Sequence, residues 1–201
     1  CADPETMRQP AVLAVALRPE LMKYFKPAFL GRVTLVQDKK SKAVYALKAM
    51  LKSEIVAHKQ QANVLNEKNV MISSNHTFVL RLYQTFKDSK KLYMLLEFIQ
   101  GGELWSYIYE KTNTVKRSQG GGFEMSAVKF YSANVVLAFK HLHNKGIAYR
   151  DLKPENLLIS SDGYLKIVDF GFAKQIPFIN KSGTIQYRTF TLCGTPDYMA
   201  P

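Results

Sequence analysis

Residues 147–159 read IAYRDLKPENLLI. From Arg150 to Asn156 the chain gathers an arginine, an aspartate, a lysine and an asparagine between two short apolar runs. Apolar runs are normally buried and charges solvated, so this stretch carries polar chemistry to the edge of a core. Asp151 is a carboxylate that can accept or orient a hydroxyl proton. Lys153 is a cation that can reach a transferring phosphoryl group. Asn156 offers a neutral amide oxygen to a hard cation, and Asp169, before the glycine of VDFG, offers a carboxylate to the same kind of ion. Lys48 in YALKAM has apolar neighbours on a strand pattern, and a buried ammonium without an anionic partner is costly. Glu67 can supply that partner, and the pair can hold Lys48 toward a phosphate. At about 4 Å and an effective dielectric of about 20, the attraction is on the order of 4 kcal/mol before desolvation. Taken singly, each residue has a plainer explanation. Lys48 reads as a strand-edge lysine with its head in water, Glu67 as an exposed helix glutamate, Asp169 as a turn aspartate.

The elements that position these residues follow from pattern. GRVTLVQ (31–37) alternates as a strand, DKKSK turns, and AVYALKAM (43–50) returns as the second strand of a hairpin. Residues 58–72 place Val64, Leu65 and Met71 near one face and predict one amphipathic helix. FVLRLYQTF (78–86), KDSKK and LYMLLEFI (92–99) predict a second hairpin. Gly101 and Gly102 break the chain before a short helix ELWSYIYE. Residues 111–122 are polar and glycine-rich and read as a loop. Residues 126–146 are the strongest helix signal, with Val128, Tyr131, Val135, Phe139 and Leu142 at helical spacing and Gly146 at the C-terminal end. Short strands LLI and LKIVDF follow around an SSDG turn. The layout is a mostly β part to about residue 98, a Gly-Gly hinge, then a mostly α part. Residues 1–28 carry four prolines and no clear period, and stay unassigned.

Composition bounds the function classes. The chain has 201 residues, 47% apolar and 12% aromatic, enough for a sizeable core. Lys and Arg number 28 against 16 Asp and Glu, a formal charge of +12. Nucleic-acid binding is disfavoured, because the aromatics sit in apolar periods and do not alternate with the cations as a stacking platform would. The two cysteines, Cys1 and Cys193, have no CxxC or metal spacing, which argues against a zinc site or disulfide framework and suits a reducing, cytoplasmic setting. AVLAVAL (11–17) is too short to span a bilayer.

YALK, YRDLKPEN, VDFGFAK and LCGTPDYMAP occur in that order and together resemble the motif set of the protein kinases over roughly residues 29–201. The resemblance implies an α+β, two-lobed fold, with a β-rich N-lobe (29–98) and a truncated α-rich C-lobe (99–201). It implies ATP-dependent phosphorylation of Ser or Thr in proteins, with Mg²⁺. Asp151 would be the catalytic base, assisted by Lys153. Asn156 and Asp169 would hold the metal. Gly31, Val33, Ala46, Lys48, Glu67, Glu97, Ile99, Glu103 and Leu158 would bind ATP, with Leu96 as gatekeeper. RTFTLCGTP is similar to the activation segment of the cyclic-nucleotide-dependent group, the cGMP type ahead of the cAMP type. Thr191 then matches a phosphorylated threonine, paired by Arg150 and Lys174. Glu103, Glu155 and Thr195 match substrate-contacting positions, so peptides with upstream arginine are the expected substrates. A cyclic-nucleotide-binding domain is expected in the parent protein or in a partner.

Two departures stand against this pattern. Where the family's loop reads GxGxxGxV, this chain has KPAFLGRV; only Gly31 and Val33 remain, and Pro27 has no N–H for a phosphate. This suggests either an atypical beginning at residues 1–28 or a weakened grip on ATP, and it sustains a rival reading as a pseudokinase or docking module. The chain also stops within the Ala-Pro-Glu motif, so it is expected to be a piece of a longer protein, to expose core surface and to be inactive alone. Residues 111–122 and 177–187 are insertions relative to the family.

Overall fold

The computed structural model describes residues 13–14, 31–109, 122–176, 179–181, 184–186 and 189–199. The chain divides into two compact units, one of Cys1–Gln61 and Leu82–Phe98, the other of Ala62–Arg81 and Ile99–Pro201.

The first unit is an antiparallel sheet. Its strands are β1 (Leu13–Ala14), β2 (Arg32–Asp38), β3 (Val44–Leu51), β4 (Leu82–Lys87) and β5 (Lys91–Glu97), in the order β1-β2-β3-β5-β4. Both expected hairpins form, and each closes on an aspartate. Asp38 Oδ1 accepts the amides of Lys40 and Ser41 at 2.9 and 2.6 Å, and Asp88 Oδ1 accepts those of Lys90 and Lys91 at 2.7 and 2.6 Å. These are Asx turns, in which a short carboxylate replaces the backbone's own turn bond. The amide bonds hold both carboxyls below their ordinary range, with Tyr93 Oη–H the largest influence on Asp88. A two-residue strand at Leu13–Ala14 pairs with Gln37 and Asp38, upstream of the VALRPELMKYF stretch, where no strand was legible. Gly31 has φ +135°, and a Cβ there would lie 2.4 Å from Ala49 O, so the entry to β2 runs too close to β3 for any side chain.

Two expectations need correction. The helix expected over 58–72 forms as α2 (Gln61–Ser73), starting three residues later, and a short helix that was not expected, α1 (Lys52–Ala57), precedes it across a turn at Lys59, which sits at φ 54°. Helix α2 buries Val64, Glu67, Val70 and Met71. Leu65 is 57% exposed, because it lies about 100° around the helix from Val64. Residues 78–86 do not form one strand. Phe78 to Leu80 bond to Ile167 in the second unit (Leu80 N–H to Ile167 O and Ile167 N–H to Phe78 O, both 2.9 Å), and only Leu82–Lys87 joins β5.

The second unit is built on α4 (Met125–Asn144). Around it lie α3 (Leu104–Tyr109), β6 (Ile147–Ala148) paired with β9 (Lys174–Gln175), and β7 (Leu157–Ile159) paired with β8 (Leu165–Ile167). The buried stripe of α4 is Asn134, Ala138 and Leu142, spaced i, i+4, i+8, while Val128 of the expected stripe is exposed. Asn134 is the polar member of that stripe. Its amide donates to Phe130 O at 2.7 Å, and its Oδ1 accepts the Leu165 amide at 3.0 Å, pinning β8 to the helix. The outer side of α4 leaves Phe130, Val136 and Leu137 exposed. The 111–122 insertion lies outside the described residues except Gly122. The 177–187 insertion contains a small hairpin, β10 (Ile179–Lys181) with β11 (Thr184–Gln186). Among the described residues, no helix is long and apolar enough to cross a membrane.

The rings of His76 and His141 lie 4.9 Å apart, joining the loop after α2 to α4. The Phe78 amide donates to His76 Nδ1 at 3.1 Å, and His141 Nε2 is buried without a hydrogen-bond partner among the described residues. Burial first, then the charge of Lys166 for His76 and of His76 and Lys145 for His141, lowers both imidazoles from 6.5. The unfolded chain therefore binds protons that the folded one refuses. Stability should be full above the unfolded value and fall as pH drops through it toward the folded values. Urea unfolding followed between about pH 8 and pH 5 should show a midpoint that falls more steeply for wild type than for His76→Phe/His141→Phe. Equal slopes would mean that the pair does not couple to folding.

Candidate active site

The backbone leaves β6 through Tyr149, which is 1% exposed, and turns at Arg150 with φ 68°. A left-handed arginine is strained by about 1–3 kcal/mol and needs outside support. That support includes Arg150 Nε donating to Phe172 O at 2.8 Å. The turn delivers Asp151, 5% exposed, to the interior edge. Pro154 then opens a single 3₁₀ turn, Pro154–Asn156, its fixed φ suited to that first position. The turn brings Asn156 back under Asp151.

Asp151 is held from three sides. Thr195 Oγ1–H donates to Oδ1 at 2.7 Å. Lys153 Nζ lies 2.9 Å from Oδ2. Asn156 Nδ2 reaches Oδ2 at 3.0 Å and the Asp151 carbonyl at 2.9 Å. Lys153 Nζ also donates to Thr195 Oγ1 at 2.8 Å, closing a triangle. Thr195 arrives from 42 to 44 residues downstream because Gly194, at φ +112°, passes so near that a Cβ would lie 2.8 Å from Arg150 O.

Asp169 follows β8 at φ 58° and is exposed, its Oδ1 accepting the Gly171 amide at 3.1 Å. The preceding residue is locked to Asn156: Val168 N–H donates to Asn156 O at 3.0 Å. With the Asn156 amide donor turned to Asp151, its neutral oxygen is the end suited to a cation. One carboxylate and one amide oxygen form a hard donor set. It fits a divalent ion that takes its other ligands from phosphate and water. Among the described residues, no group of three or more His, Cys, Asp or Glu could hold a metal by itself.

Glu67 is buried on α2. Glu103 pairs with Leu158 across an antiparallel bridge, flanked by the Gly101–Ile159 and Ile159–Gly102 backbone bonds. Ile99 is half-buried. Glu155 Oε2 is buried with no hydrogen-bond partner among the described residues, and Tyr198 stands near it. The Tyr198 phenol is raised by burial and then by the Glu155 carboxylate and Tyr109. In the first unit, the register sets Val33 opposite Lys48 and Ala46 opposite Leu96, so these four share one face of the sheet. Glu97 stands opposite Tyr45.

Thr191 is exposed, and the Arg150 guanidinium reaches Thr189 Oγ1 at 3.2 Å instead. Lys174 lies in β9 beside Ala148. Sequence reasoning passed over Thr189 and over Tyr149, although both sit in the quoted motifs. The Tyr149 hydroxyl donates to Val168 O at 2.5 Å, and its ring meets Phe139 and Phe170 edge-on. Burial, then the charges of Asp169, Asp151 and Glu67, holds that phenol well above its ordinary range, so it serves as a donor.

Residues 29–201 match the protein kinase domain family. The chain is similar to "cGMP-dependent protein kinase, isozyme 2 forms cD5/T2" of Drosophila melanogaster, 48% identical over 172 residues that cover 85% of this chain and 17% of that protein. It is similar to the "cAMP-dependent protein kinase catalytic subunit" of Dictyostelium discoideum, 44% identical over 171 residues, 85% of this chain and 24% of the other. It is 40% identical over 202 residues to the "Putative serine/threonine-protein kinase PRKY" of Homo sapiens, covering 100% of this chain and 66% of that one. The chain thus spans less than two thirds of each of these relatives.

Tyr149→Phe keeps the ring and deletes the donor to Val168 O. It should lower unfolding stability by about 1–2 kcal/mol in a denaturant melt, the cost of one buried acceptor left unmet. An unchanged midpoint would show that this bond does not support the Asp169 strand.

Proposed function

The chain belongs to the protein kinase domain family, whose members use ATP and a divalent metal, and we propose that the protein carrying it phosphorylates Ser or Thr in protein substrates. The observation that carries this reading is the closed triangle of Asp151, Thr195 and Lys153 above Asn156. A carboxylate so held points its free lone pairs in one direction, as a base or hydroxyl-orienting group must.

In this reading the substrate hydroxyl binds against Asp151, which orients it and takes its proton as the hydroxyl oxygen bonds the γ-phosphorus of ATP and the bond from that phosphorus to the ADP oxygen breaks. Lys153 meets the charge on the transferring phosphoryl group. Asn156 and Asp169 would hold Mg²⁺, which would supply positive charge against the phosphate oxygens. Lys48, with Glu67 as its counter-charge, contacts the α- and β-phosphates. Gly31, Val33, Ala46 and Leu158 line the nucleotide, the backbone of Glu97 and Ile99 meets the adenine, and Glu103 serves nucleotide and substrate. A phosphate on Thr191 would recruit Arg150 and Lys174.

Glu155 supports basic substrates. A carboxylate oxygen buried without a donor is costly, and an incoming guanidinium supplies the bidentate donors that relieve it. Regulation by a cyclic nucleotide, cGMP ahead of cAMP, in a cytoplasmic protein accords with the relatives' names and with the cysteine usage. The rival reading, a pseudokinase or docking module, draws on KPAFLGRV, where Lys26 and Ala28 stand for the family's first two glycines.

Full-length protein given labelled ATP, Mg²⁺ and Ser, Thr or Tyr peptides should label Ser and Thr. Arg two or three residues upstream should raise kcat/KM by about ten- to hundredfold, and Glu155→Ala should erase much of that preference. A thermal shift with nucleotide but no phosphotransfer would establish the pseudokinase reading instead.

A further inference from the structure

We propose that Tyr109, braced by Trp105, is a specificity-determining residue. Its ring walls the site at Glu155 and makes that site read arginine in preference to lysine upstream of the phosphorylated Ser or Thr. This rests on the kinase reading above and narrows its substrate class. Trp105 and Tyr109 lie four residues apart on α3, so their side chains share one face of the helix. Their rings meet with centroids 5.2 Å apart and planes tilted by 40°. Helix α3 packs against the 3₁₀ turn Pro154–Asn156, which carries Glu155. Burial first, then the Glu155 carboxylate and then Tyr109, raises the Tyr198 phenol, so Glu155 and the two tyrosines gather at one place.

Carboxylate and rings contribute different things. Glu155 Oε2 is buried without a hydrogen-bond partner among the described residues, so it attracts a cation that brings a donor. Charge alone does not separate the two long basic side chains. Tyr109 is 57% and Tyr198 46% exposed, so aromatic surface stays open to a ligand beside that oxygen. A guanidinium is planar and weakly hydrated. It stacks on an aromatic face and still turns its N–H fork toward a carboxylate. An ammonium is a compact, strongly hydrated point charge and gives up more water to approach a ring. The contact with Trp105 holds the Tyr109 ring from the side, so less side-chain freedom is lost when the arginine arrives. The attraction belongs to the ring and not to its hydroxyl. Phenylalanine at 109 should therefore keep it, and leucine should not.

The test uses full-length wild type, Tyr109→Phe and Tyr109→Leu with ATP, Mg²⁺ and Ser peptides that differ only in Arg or Lys two or three residues before the Ser. The same peptides with Ala in place of the Ser report binding without transfer. Wild type and Tyr109→Phe should favour the Arg peptide over its Lys twin by the same ratio, in kcat/KM and in affinity. Tyr109→Leu should lower that ratio by about two- to fivefold, the worth of one exposed cation–π contact. A Tyr109→Leu ratio equal to that of wild type would overturn the inference and leave Tyr109 a plain surface residue. A ratio that falls as far in Tyr109→Phe as in Tyr109→Leu would overturn it too, by assigning the effect to the hydroxyl. A wild type that transfers no phosphate to any peptide would overturn the kinase reading. The Ala peptides would then still decide this inference: an Arg-over-Lys affinity ratio that falls only in Tyr109→Leu upholds it, and any other pattern overturns it.

Discussion

Holding Asp151 is the constraint on which the second unit turns. A carboxylate only 5% exposed has lost most of its water and must be compensated by donors. Thr195, Lys153 and Asn156 supply them within 2.7 to 3.0 Å. None of the three can be placed independently. Asn156 requires the 3₁₀ turn that Pro154 opens, Lys153 lies in the turn's approach, and Thr195 requires Gly194 to pass against the Arg150 carbonyl. The strain of a left-handed Arg150 is tolerable because its side chain and the peptides beside it are bonded elsewhere.

The surrounding elements make that arrangement rigid. Tyr149 stitches the Asp151 loop to the residue before Asp169, and Val168 N–H stitches Asp169's strand to Asn156. Asn134 fixes β8 to α4 from behind. The aromatic packing of Tyr149 with Phe139 and Phe170 fills the space beneath. The segments that carry Asn156 and Asp169 are thereby tied to each other and to the loop that carries the Asp151 carboxylate. The same backbone continues through Phe172 and Ala173, where Arg150 and Asn66 take hold.

Much of this was legible in the residues. Both hairpins closed by Asp38 and Asp88 could be read from alternation and turn chemistry, and α4 from its length and period. Asp151, Lys153 and Asn156 were named from their types and spacing and Thr195 from the family resemblance, and these four come together. What could not be read depends on partners distant in sequence. FVLRLYQTF looks like one strand because periodicity does not say that Phe78 to Leu80 will bond to Ile167 while Leu82 onward bonds to β5. The α1–α2 break at Lys59 lacks the glycine or proline that marks most helix ends. A hydrophobic period counts Leu65 and skips Glu67 and Asn134. Burial chose the reverse, because a buried polar side chain is paid for by specific bonds that no window average contains. Arg150 meeting Thr189 and not Thr191 is a choice between neighbours two residues apart, finer than motif spacing resolves.

In the proposed function the restrained Asp151 carboxylate performs the chemistry and takes no part in gripping the nucleotide. Single-turnover transfer and nucleotide affinity, measured together on full-length wild type and Asp151→Asn, address it most directly. Transfer should fall by about a hundredfold or more, the usual contribution of a positioned base, while Mg-ATP affinity stays near that of wild type. Turnover that survives the substitution, or an equal loss of affinity and rate, would contradict the account.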